Sequence, residues 1–170
     1  MRSVKNVLAC TSFAAGMLTA GTALAQTPER MGQFKDWGAI SYQSPQGKVC
    51  YAVSVPTSKQ PANVNHGDNF FVVTQRRGSN VSYEPQFIAG YQLRESSEVR
   101  VTIDGRNFTF FSKENHAWTE NAAQDPQIVQ AMRAGAKMVV NATSRRGTNT
   151  VYEYSLSGIT AALNSIRECT

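Results

Sequence analysis

Apolar and polar residues alternate along most of the chain beyond residue 37. Val49, Tyr51 and Val53 share one side of a segment whose other side is Cys50, Ala52 and Ser54, the two-residue period of a strand. The spacing predicts strands over 38–43 and 48–55. Ser44-Pro45-Gln46-Gly47 joins them, with proline and glycine where a four-residue turn favours them. Phe70-Phe71-Val72-Val73 is apolar on both faces, so 69–75 is predicted as a central strand, and 81–83 and 87–93 continue the pattern on either side of Pro85. Residues 98–103 and 106–112 alternate around Asp104-Gly105, a pair that accepts the positive φ of a type I′ hairpin turn. A last hairpin is predicted over 138–143 and 150–156. The polar stretch 56–67 contains two prolines and reads as a long loop.

Two segments change to a helical period. Asp125-Pro126 reads as a cap followed by a first-turn proline, with Ile128, Val129 and Met132 on one side and Gly135 as the stop. Ser157 reads as the cap of a second helix, whose Ile159, Leu163 and Ile166 recur at i, i+4 and i+7. Many short strands joined by hairpin turns, with only two short helices, predict a mainly β, antiparallel sandwich and argue against a βαβ fold.

The first residues follow neither period. Arg2 and Lys5 precede the small, apolar stretch 7–24, and Ala23-Leu24-Ala25 suits signal peptidase, so 1–25 reads as an export signal. Cys10, with only three apolar residues before it, reads as an ordinary signal residue and not as a lipidation site. Residues 26–33 read as a flexible lead-in, and 34–170 as one domain. No apolar run long enough to span a bilayer follows Ala25. The expected location is the periplasm, with the cell surface or secretion as alternatives. In such an oxidising compartment Cys50 and Cys169 are expected to form a disulfide that fastens the last helix to an early strand.

Charge narrows the partners. Two of the 17 basic residues leave with the signal, so the +5 of the whole chain becomes +3. That is too little for a nucleic-acid binder, but enough for attraction to an anionic glycan or to an envelope protein. Catalytic spacing is missing. There is no His-Glu-x-x-His, no zinc corner, no Gly-x-Ser-x-Gly elbow and no glycine-rich phosphate loop. No metal, cofactor or catalytic residue is therefore expected. His66 and His116 read as ordinary surface histidines, and a hydrolase with a scattered Ser/His site is the rival reading. Trp37, Phe70, Phe71, Phe110 and Trp118 read as core and not as a carbohydrate platform.

One internal echo stands out. Residues 74–84 align without gaps on 143–153, with seven of eleven positions identical. Each copy places two arginines before a glycine: Arg76 and Arg77 in the first, Arg145 and Arg146 in the second. These are either two solvated hairpin turns or two arginine loops able to hold a sulfate, phosphate or carboxylate through forked hydrogen bonds.

Several stretches together resemble a known family: Phe34-Lys35-Asp36-Trp37, Cys50, Ala117-Trp118, Val129-Gln130-Ala131-Met132-Arg133-Ala134-Gly135, Ser144-Arg145-Arg146-Gly147-Thr148, Tyr154-Ser155-Leu156-Ser157-Gly158 and the closing Cys169. The chain resembles the invasion-associated locus B family of exported bacterial proteins. That resemblance implies an immunoglobulin-like β-sandwich in the periplasm or at the outer surface, and it brings no catalytic residues. The expectation is a non-enzymatic envelope protein that binds an envelope protein or anionic glycan through its arginine turns. A surface-exposed host-invasion or adhesion factor is the alternative.

Overall fold

A strand with one apolar face needs neighbours on both sides and a layer to cover that face. The computed structural model describes residues 27–75 and 83–167. In chain order its strands are β1 (Glu29–Phe34), β2 (Trp37–Ser44), β3 (Gly47–Ser54), β4 (Ser58–Gln60), β5 (Phe70–Gln75), β6 (Tyr83–Ile88), β7 (Glu98–Ile103), β8 (Arg106–Lys113), β9 (His116–Thr119), β10 (Lys137–Thr143) and β11 (Asn149–Ser155). The helices are α1 (Asp125–Ala134) and α2 (Ile159–Arg167). All pairings are antiparallel, and hydrogen bonding runs without a break through β1-β2-β3-β5-β6-β9-β8-β7-β10-β11-β4.

A sheet of so many twisted strands does not stay flat. It folds over until its apolar face meets itself. Phe71 on β5 packs against Phe110 on β8 and Tyr154 on β11, with centroids 6.1 and 5.9 Å apart, and Phe87 on β6 packs against Tyr152 on β11 at 5.4 Å. Trp37 Nε1 donates to the Ser155 carbonyl at 2.9 Å, tying β2 to β11. The expected mainly β, antiparallel sandwich with two short helices is therefore present, its two layers being halves of one continuous sheet. α2 packs against β1, β2 and β3, and α1 against β6. Both helices turn their apolar stripes into the core.

The predicted hairpins hold. Asp104 and Gly105 both take positive φ between β7 and β8, and the Asp104 carboxylate also accepts from the amides of Ala136 and Lys137 at 2.8 and 3.2 Å. Before α2, Gly158 has φ +97 and lies so close to the Phe34 carbonyl that a Cβ would overlap it.

Elsewhere the structure departs from expectation. Most of the lead-in predicted over 26–33 belongs to β1, which pairs with β2 from Glu29↔Ser41 to Phe34↔Trp37. An edge strand needs a neighbour's backbone more than it needs apolar side chains, and Met31 and Phe34 still reach the core. The long loop contains β4, paired with β11. β6 runs straight through Pro85, which opposes Val73 on β5. Pairing of β6 with β9 begins only at Gln86, so the proline sits where the strand is still an edge. Asp125 is the first residue of α1 and not its cap. Its Oδ1 accepts from Thr119 Oγ1 at 2.6 Å. Residues 1–26, and with them the export signal and Cys10, lie outside the described residues.

Candidate functional site

The β10–β11 turn is held by its own hydrogen bonds. Ser144 N donates to the Thr148 carbonyl at 2.9 Å, Gly147 N to the Ser144 carbonyl at 2.8 Å, and Thr148 N to Ser144 Oγ at 3.1 Å. Gly147 supplies the positive φ. The segment 90–94 buttresses the turn from the side: Arg145 N donates to the Gln92 carbonyl at 2.8 Å, and Arg94 N to the Thr143 carbonyl at 2.9 Å. Arg145 and Arg146 are thus presented to solvent on a fixed backbone. Arg94 joins them, with Nη2 3.2 Å from where a Gly147 Cβ would stand. Among the described residues, none of these three guanidiniums is paired with a carboxylate, the ion pair there being Lys137–Glu153.

Beside the turn lies a cleft of about 460 Å³, walled by Val64 and Asn65, by Tyr91 and Gln92, and by the turn itself. Its floor is a buried polar chain. His66, only 7% exposed, places Nε2 2.9 Å from the Pro61 carbonyl and Nδ1 2.8 Å from the Tyr152 hydroxyl. A carbonyl can only accept, so Nε2 carries a proton. The Tyr152 and Tyr91 hydroxyls are 3.1 Å apart, and Tyr91 is 2.6 Å from Thr150 Oγ1, which donates to the Ala142 carbonyl at 3.2 Å. Burial pushes the phenols of Tyr152 and Tyr91 above their ordinary range, with the neighbouring Tyr91 raising Tyr152 further. These groups stay protonated and act as hydrogen-bonding struts.

The expectation that His66 is a surface histidine is overturned. Loop 61–69 folds inward: Asn69 Nδ2 donates to the carbonyls of His66 and Gly67 at 2.9 and 3.0 Å. The backbones at Gly67 and Gly90 approach so closely that neither has room for a side chain. Both His66 nitrogens are engaged, by a phenol and a backbone carbonyl, and among the described residues neither is bonded to a serine or a carboxylate. His116 lies half-buried on β9, paired across the sheet with Ile88 and Lys113. Among the described residues, no three His, Cys, Asp or Glu side chains are grouped to hold a metal ion.

Of the four predicted arginines, the structure brings Arg145 and Arg146 to the cleft. Arg76 and Arg77 lie outside the described residues. Gln75 on β5 pairs with Tyr83 on β6, and from the other end of β6 the chain runs on from Ile88 to Gln92 and the cleft. Cys50 is buried on β3 opposite Gln75, and Gln75 Nε2 donates to the Arg167 carbonyl at 3.2 Å. The end of α2 therefore comes to the neighbourhood of Cys50, whereas Cys169 lies outside the described residues. Trp37, Phe71 and Phe110 are core, as expected. Phe70 and Trp118 are half-buried on the outer face instead, Trp118 standing edge-on to Phe111 at 4.6 Å.

Comparison with known proteins agrees with this architecture. The family model described as "Invasion associated locus B (IalB) protein" matches residues 37–167. Among solved structures, the chain is similar to invasion associated protein b from Bartonella henselae, with a TM-score of 0.55 and 15% identity. The likeness covers 79% of this chain and 94% of that one. No curated protein matches the chain.

Proposed function

Because the chain belongs to the invasion associated locus B family, we propose that it is an exported, non-enzymatic periplasmic protein that binds an anionic envelope component through the β10–β11 cleft. One observation carries this reading. Among the described residues, Arg145 and Arg146 have no carboxylate partner, and they stand beside a cleft whose imidazole has both nitrogens engaged. Such a site can hold charge and shape, and among the described residues none of its groups is paired as a nucleophile with a base. The reading of 1–25 as an export signal supports an envelope location, where Cys50 and Cys169 would be bridged.

The test is co-sedimentation of the mature protein with isolated envelope fragments at low salt. Arg145→Ser/Arg146→Ser is expected to lower the bound fraction about tenfold, as the loss of one or two charge-assisted hydrogen bonds predicts, with an unchanged melting temperature. Arg106→Ser, exposed at the β7–β8 turn beside the start of β10 and so at the far end of that strand from Arg145, serves as the control and is expected to bind nearly as the parent does. Equal sedimentation of parent and Arg145→Ser/Arg146→Ser protein would overturn the reading. The neighbour's description as invasion associated concerns that protein. A host-facing role here would require exposure on intact cells, which protease shaving distinguishes.

A further inference from the structure

We propose that the occupant of this cleft is a saccharide bearing a carboxylate or phosphate group, an inference that rests on the cleft being the binding site. The chemistry of the walls is divided. At the rim stand Arg145 and Arg146, with Arg94 reaching over Gly147. Guanidiniums only donate, and their planar forks match a carboxylate or phosphate. No Asp or Glu lines the cleft among the described residues, so nothing there competes with an incoming anion.

Behind the rim the lining is neutral. Asn65, Gln92 and Thr148 offer amide and hydroxyl groups that can both donate and accept hydrogen bonds, the complement of a ring of sugar hydroxyls. The half-buried Tyr91 ring, fixed by its bond to Thr150, and Val64, 37% exposed, supply apolar wall for the C–H face of a pyranose. The volume of about 460 Å³ lies within the range of small-molecule sites, roughly 300–1,000 Å³.

The alternatives use only part of this. Bare phosphate would engage the rim and leave the hydroxyl-lined interior to water. A neutral sugar would fill the interior and leave the guanidiniums without a counter-charge. An anionic saccharide satisfies both. The turn is also braced by three internal hydrogen bonds and two to the 90–94 segment, so little ordering remains to be done on binding.

The experiment is calorimetric titration of the mature protein with glucuronate, glucose 6-phosphate, inorganic phosphate and glucose, followed by competition of the two anionic sugars against envelope fragments. Both anionic sugars are expected to bind at least tenfold more tightly than either phosphate or glucose. Arg145→Ser/Arg146→Ser removes that preference, and Gln92→Ala weakens the sugars while leaving phosphate unchanged. Displacement from the fragments assigns the natural ligand to an envelope polymer, and direct binding without displacement assigns it to a free sugar acid or sugar phosphate. Phosphate binding as tightly as glucose 6-phosphate, or glucose as tightly as glucuronate, overturns the proposal. If no sugar binds yet arginine-dependent co-sedimentation persists, the saccharide assignment falls while the binding reading stands. If co-sedimentation is absent too, both fall.

Discussion

Tyr152 and Tyr154 offer the same chemical change with opposite expected signs. Both are fully buried, two residues apart on β11. The Tyr152 hydroxyl is held between His66 Nδ1 and the Tyr91 hydroxyl. Tyr152→Phe deletes both contacts and leaves a buried imidazole nitrogen short of a partner. At about 1 kcal/mol for the net bond to Tyr91, and about 1–3 kcal/mol for the imidazole nitrogen left unsatisfied, the cost is about 2–4 kcal/mol. The Tyr154 hydroxyl has no hydrogen-bond partner among the described residues. Its burial already carries a desolvation cost, so Tyr154→Phe is expected to stabilise by about 1 kcal/mol. For a chain of this size about 1 kcal/mol shifts the melting temperature by roughly 2–4 °C. Tyr152→Phe should therefore melt several degrees lower and Tyr154→Phe a few degrees higher than the parent. Urea titration followed by circular dichroism gives the two free energies, and the slopes should match. If both variants are destabilised equally, the hydrogen-bond assignment on the cleft floor is wrong.

Two further predictions concern pH and redox state. The phenols of Tyr91, Tyr152 and Tyr154 are all raised, chiefly by burial, so above about pH 10 the unfolded chain releases protons that the folded chain keeps. The unfolded state then binds fewer protons, and stability falls as pH rises from about 10 upward. Urea midpoints at pH 8 and pH 11 should show the loss, and Tyr154→Phe should reduce it. If Cys50 and Cys169 are bridged, reduction opens a closed loop on the order of 100 residues, worth about 4–5 kcal/mol in the chain-entropy view. Thermal unfolding with and without dithiothreitol measures this, and an unchanged melting temperature together with two titratable thiols would count against the bridge.

What the sequence made legible was local. Asp104-Gly105 announced its hairpin because a type I′ turn restricts both of its residues. Ile159, Leu163 and Ile166 announced α2 because a buried helical stripe has one spacing. β1 and β4 stayed hidden because their residues are polar and their partners distant: Gln60 meets Val151 only after the sheet has folded over. His66 was misplaced for the same reason. A polar loop reads as solvated unless its closing contact is visible, and that contact is backbone on backbone. Its one trace in the sequence is the pair Gly67 and Gly90, where no side chain fits. Repetition of the arginine motif reports no position: Arg145 and Arg146 stand at the cleft because residues 90–94 brace the β10–β11 turn, whereas Arg76 and Arg77 lie outside the described residues.

The placement of the two tryptophans gives the molecule a built-in pair of optical reporters. Trp37 is sealed in the core with its indole nitrogen bonded to β11, and Trp118 is half-buried on the outer face. Iodide or acrylamide should quench Trp118 first and reach Trp37 only when the two halves of the sheet part. In a Trp118→Phe protein the remaining emission reads that parting alone, so it can time the opening of the sandwich without any label.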